Sequence, residues 1–108
     1  MPSEYTAYKR RVAEAYEAAG GLDFGSAPVA VTIDVMRELP GGRPKRVSAE
    51  PDTVYPDVDN IAKGVMDALN GVAYADDRQV VSLSVLKCDR TRNPTRMRVT
   101  VKEIGVKE

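Results

Sequence analysis

Five aspartates stand between Asp57 and Asp77: Asp57, Asp59, Asp67, Asp76 and Asp77, with Lys63 the one cation among them. The chain contains no histidine. Carboxylates gathered at the two ends of one short segment repel each other unless something cationic lies between them. A hard divalent metal suits such a set, because Mg²⁺ prefers oxygen ligands and is commonly held by a few carboxylates together with substrate phosphates. The chemistry this implies is phosphodiester hydrolysis, in which a metal neutralises developing charge and lowers the pKa of the attacking water. Lys63, four residues after Asp59 and on the same helical face, is placed to stabilise the transition state or the leaving oxygen; it is equally suited to being a counter-ion for the aspartates.

Plainer roles compete for the same residues. An Asp at a helix start caps free N–H groups and complements the dipole, worth about 1 kcal/mol, which accounts for one aspartate but not for two pairs. A bare D-x-D occurs by chance and also serves phosphatases and nucleotide-sugar transferases. Asp67, on the outer face of the same segment, reads as structural.

The elements that must position these residues follow from periodicity. Ile61, Ala62, Val65, Met66 and Leu69 recur at helical spacing, and Asn70-Gly71 ends that helix. An earlier helix is expected over Ser3 to Ala19, with Ser3 as N-cap and Tyr5, Tyr8, Val12, Ala15 and Tyr16 on one half-apolar face that packs on a sheet. Val29 to Met36 alternates as a strand, with Val29, Val31, Ile33 and Val35 inward. Two further strands, Arg78 to Lys87 and Arg96 to Glu103, are expected to pair as an antiparallel hairpin with an enlarged loop. The order predicts an α+β fold: a small mixed or antiparallel sheet with two helices packed on one face.

Composition narrows the function. With 108 residues and 43% hydrophobic content, one domain is expected over the whole chain. Sixteen basic and sixteen acidic residues cancel, so net charge does not decide for or against nucleic acid. Their distribution is more telling. Lys87, Arg90, Arg92, Arg96, Arg98 and Lys102 face only Asp89 over that stretch, and the Pro- and Gly-rich loop from Leu39 to Arg46 carries Arg43, Lys45 and Arg46. These basic segments suit a phosphate backbone, and they equally suit a solvated surface. A lone Cys88 without histidine makes neither a disulfide nor a zinc site, which points to a reducing, cytoplasmic setting. No apolar run approaches a membrane span, and the first residues are too charged for a signal peptide.

The full string from Asp57 to Val80, D-x-D-N-x-x-K-x-x-x-D-A-L-N-G-x-x-Y-x-D-D-x-Q-V, closely resembles the signature of the RusA family of Holliday junction resolvases, small phage-associated endonucleases. The resemblance extends from about Tyr5 to Glu103. It implies a homodimeric, Mg²⁺-dependent endonuclease, with Mn²⁺ able to substitute, that makes paired nicks in four-way junction DNA during recombination and repair. Carried over by position, Asp57, Asp59 and Asp77 are the catalytic metal ligands and Lys63 the essential lysine, with Asp76 beside the metal. Arg43, Lys45, Arg46, Arg90 and Arg92 are then expected to hold the junction arms through phosphates. Two equivalent strands to cut match two equivalent sites of a two-fold dimer. Family members commonly begin with a strand and a basic, Gly-rich loop, whereas this sequence starts almost at the first helix. That difference motivates the alternative of a non-catalytic junction-binding module keeping the same fold.

Overall fold

The strand Val29–Met36, β1, is the most buried of the chain, and everything else is arranged about it. Val29, Val31 and Ile33 are fully buried on one face, so β1 must be covered by a neighbour on each edge as well as by helices. In the computed structural model, which describes residues 3–105, it lies between β3 (Val80–Lys87) and β5 (Arg96–Glu103) in a three-stranded sheet ordered β3-β1-β5. β1 and β3 run parallel, with Val31 opposite Leu83 and Ile33 opposite Val85. β1 and β5 run antiparallel, with Ile33 opposite Val99. The fold class is α+β as expected, but the expected hairpin is replaced by two separate pairings with β1. Residues between β3 and β5 instead form β4 (Arg90–Thr91), which pairs with β2 (Ala49–Glu50), and a bridge joins Thr91 to Glu38. The connection thereby passes across the end of β1 rather than turning tightly.

Both helices cover one face of the sheet. Helix α1 (Glu4–Ala18) starts where Ser3 accepts a hydrogen bond from the Thr6 amide, and it buries Val12. Helix α2 (Val58–Leu69) is the more strongly amphipathic and buries Ile61, Gly64, Val65, Ala68 and Leu69 against Val29, Val31 and Ile33, with Ala73 and Tyr74 closing the core. It ends at Asn70, and Gly71 at φ 82° makes the left-handed turn that residues with a side chain adopt reluctantly. The opposite face of the sheet is largely polar, with exposed Thr32 flanked in register by Ser84 and Thr100, and it also carries exposed Leu86 opposite Asp34.

β1, α2 and β3 therefore form a β-α-β unit. The amino end of α2 lies at the carboxyl edge of the parallel pair, and its carboxyl end lies where β3 begins. Ligands of open α/β sheets usually bind outside that carboxyl edge. Among the described residues no helix is long and apolar enough to cross a membrane.

Candidate active site

The chain enters α2 through a loop that is tied down from below. Arg37, just past β1, donates from Nε and Nη2 to the two carboxylate oxygens of Asp52, both at 2.7 Å. The same guanidinium donates to the carbonyls of Val54 and Tyr55 at 2.7 and 3.0 Å. Lys87, the last residue of β3, donates to the Val54 carbonyl at 2.6 Å and lies 3.9 Å from Asp52. The Asp52 side chain is inaccessible to solvent, and bidentate pairing is what makes its burial tolerable. The Arg37 hydrogen bonds hold the Asp52 carboxyl below the usual carboxylate range despite its desolvation. The adjoining ends of two parallel strands thus fix the backbone two residues before Asp57.

At the amino end of α2 the charged side chains are left over. Asp57 occupies the N-cap position with extended backbone, yet its side chain caps nothing; only its carbonyl joins the helix, accepting from the Ile61 amide at 3.0 Å. A capping role therefore does not account for this carboxylate. Asp59 in the first turn and Lys63 one turn later are exposed. Among the described residues, ion pairs form at Asp52 and at Arg43–Glu50, and neither Asp59 nor Lys63 takes part in one.

At the other end the carboxylates are engaged. Asp67 accepts the Tyr5 hydroxyl, joining α1 to α2. Asp77 lies 3.1 Å from the hydroxyl of buried Tyr74, which also lies 3.4 Å from the Met66 carbonyl. Burial first, then the Asp77 charge, push the Tyr74 phenol well above its ordinary pKa, so it remains a donor. Asp76 caps the short 3₁₀ turn Asp77–Gln79 in a capping box: its side chain accepts from the Arg78 amide at 2.9 Å, while the Gln79 side-chain oxygen accepts from the Asp76 backbone amide at 2.8 Å. Gln79 also donates to the carbonyls of Gly25 and Ala27, which anchors the start of β3. Much of the Y-x-D-D-x-Q segment is thus accounted for by local structure.

Asp57 and Asp59 stand at one end of the helix, while Asp77 is tied through Tyr74 to Met66 near the other. At about 1.5 Å of rise per residue, Asp59 and Met66 are separated by roughly 10 Å along the axis. Among the described residues no three carboxylate, thiol or imidazole groups gather closely enough to hold one metal ion. The donor types fit Mg²⁺, and two carboxylates in the first turn match its habit of combining few protein ligands with substrate phosphate oxygens. The three-aspartate set of Asp57, Asp59 and Asp77 is not assembled.

The basic candidates divide similarly. Arg43 pairs with both oxygens of Glu50, which holds the Glu50 carboxyl below its usual range. Arg90 donates twice to the Glu38 carbonyl, and Arg92 donates to the carbonyls of Pro44 and Val47. These three arginines shape the loops around β2 and β4, whereas Lys45 and Arg46 are exposed at the loop tip.

Sequence reasoning does not join Arg37, Asp52 and Lys87, whose spacing of fifteen and thirty-five residues gives no local signal. Nor does it show that Tyr5, Tyr8 and Tyr55, with Asn60, Lys63 and Gly64, line a pocket between α1 and the amino half of α2. The tyrosine stripe was visible as a helical face; what it faces was not.

Comparison with known proteins bears on the function of this arrangement. A family model described as Endodeoxyribonuclease RusA matches residues 1–102. An uncharacterized protein, YqaN of Bacillus subtilis (strain 168), is 43% identical over 70 residues, covering 57% of this chain and 49% of that protein. The chain spans about half the length of this curated relative.

Proposed function

The chain belongs to the RusA endodeoxyribonuclease family, and on that premise we propose that it is a structure-selective endonuclease that resolves Holliday junctions by paired phosphodiester hydrolysis in DNA recombination and repair. The observation that carries this reading is the amino end of α2. There Asp57, Asp59 and Lys63 project at the carboxyl edge of the parallel strands, with Asp57 making no cap and Lys63 no ion pair among the described residues. Asp57 and Asp59 would supply hard oxygens to hold Mg²⁺ or Mn²⁺, an ion commonly shared with substrate phosphates. A bound ion of this kind neutralises charge on the phosphate and lowers the pKa of its water. Lys63 contributes a compact positive charge toward the phosphate that Asp59 faces. Asp77 is the third candidate ligand of this centre, and its Tyr74 hydrogen bond holds it in the fold without the ion. Lys45 and Arg46 contact the arms through phosphates, on a loop whose shape Arg43 and Arg92 maintain. A homodimer presents two such centres to the two equivalent strands.

The experiment is cleavage of a synthetic four-way junction. With Mg²⁺ or Mn²⁺ the protein nicks two opposing strands symmetrically near the branch and leaves duplex of the same sequence intact. The spread of the carboxylates along α2 favours a second reading, a non-catalytic junction-binding module. Junction binding without cutting under either metal identifies that module and removes the enzymatic reading.

A further inference from the structure

The pocket between α1 and α2 has a chemistry that the metal-and-lysine account does not use. It measures about 450 Å³, within the usual range for small-molecule sites of roughly 300–1,000 Å³. Three tyrosines line it: Tyr5 and Tyr8 from α1, and Tyr55 from the loop entering α2. Asn60 and Lys63 supply its polar wall, and no acidic residue lines it. Space for Tyr8 depends on Gly64. A Cβ at that position would sit 3.0 Å from the Tyr8 ring, and glycine inside a helix costs about 1 kcal/mol relative to alanine. The helix thus carries an unfavourable residue where the ring comes closest.

Tyr55 is the telling member. The residue is 72% exposed, the highest among the large hydrophobic residues described, yet its backbone carbonyl is held by Arg37. An exposed aromatic ring on an anchored backbone is placed to stack with little loss of chain freedom. It stands two residues before Asp57, so whatever stacks on it lies beside the phosphate that the amino end of α2 engages. Aromatic faces bind bases irrespective of sequence, an Asn amide pairs with base edges, and Lys63 supplies positive charge for the attached phosphate.

We propose that this pocket takes an unstacked DNA base from the branch point, stacking it on Tyr55 with Tyr8 beneath and Asn60 at its edge, so that the adjoining phosphate is delivered to Asp57, Asp59 and Lys63. The proposal rests on the nuclease reading above and adds a substrate feature to it: selection of DNA whose bases are already partly unpaired. Such bases cost least to take out of a duplex, which gives the site a reason to prefer junctions over plain duplex.

The test couples a protein change to a DNA change. Junction affinity is measured in Ca²⁺ in place of Mg²⁺, for the wild type, Tyr55→Ala and Tyr55→Phe. One set of junctions is intact, and in another a single abasic residue is stepped through the positions flanking the branch. On the intact junction Tyr55→Ala weakens binding about tenfold, the scale of one lost base–aromatic stack, while Tyr55→Phe binds like the wild type. At one abasic position the wild type loses a similar factor, and Tyr55→Ala loses nothing further. Equal losses for Tyr55→Ala on intact and all abasic junctions overturn the base pocket, as does full affinity of Tyr55→Ala on the intact junction. A protein that binds no junction at all removes the nuclease reading and this proposal together. Sedimentation of the DNA-free protein adds a control: dissociation of a dimer by Tyr55→Ala would assign the pocket to a second copy and overturn the proposal.

Discussion

The two ends of α2 carry the same residue type in opposite employment. At its carboxyl end, Asp67 accepts from Tyr5, Asp77 sits against the Tyr74 hydroxyl, and Asp76 caps the next turn. At its amino end Asp57 caps nothing, and Asp59 and Lys63 are exposed to solvent. The backbone there is nevertheless fixed by Arg37 and Lys87 through the Asp52 loop. Carboxylates with hydrogen-bond donors contribute to the fold, whereas carboxylates left without them on a rigid support are available to an external cation or phosphate-bound metal. The helix dipole helps hold negative charge at the amino end until such a partner arrives.

The sharpest way to break this contrast is to neutralise one carboxylate at each end. Asp59→Asn lowers junction cutting on the order of 100-fold or more while junction affinity is kept or improved, because a negative charge near phosphates is removed. Asp67→Asn leaves the cutting rate nearly unchanged. Arg37→Leu is next: stranding the buried Asp52 carboxylate destabilises the fold by about 3 kcal/mol, measured by urea unfolding, and slows cutting through the loosened start of α2. Tyr74→Phe leaves Asp77 and the Met66 carbonyl without their shared donor, at a cost of about 1 kcal/mol.

The smallest expected effect is on pH dependence. Because Arg37 depresses the Asp52 pKa in the folded state, the stability this gives is whole above the ordinary Asp value of about 3.9. It is lost as pH falls through the lower folded value. Unfolding measured from about pH 5 downward should therefore show a steeper acid loss for the wild type than for Asp52→Asn.

What the sequence could and could not show follows from the range of each interaction. Helical spacing marked α2 and its end at Asn70-Gly71, and strict alternation marked the inward set Val29, Val31 and Ile33, because both patterns record local geometry and burial. Alternation says which face a residue takes, not which strand lies beside it, so β3 and β5 were expected to pair when each in fact borders β1. The same limit hid the Arg37–Asp52–Lys87 clamp, whose members meet only when the parallel strands are formed. Within the candidate site, the shared helical face of Asp59 and Lys63 was legible from their i, i+4 spacing, and the place of Asp57 at the helix start from the apolar pattern that follows it. The distance of Asp77 was not, because it depends on where the chain re-enters the sheet after Gly71.

The most direct measurement is the single-turnover rate of four-way junction cutting in Mg²⁺ for the wild type, Asp59→Asn and Asp67→Asn, each with its junction affinity. A functional centre at the amino end of α2 predicts loss of cutting with retained binding for Asp59→Asn alone. Cutting by Asp59→Asn at the wild-type rate, or a loss that follows Asp67→Asn instead, contradicts it.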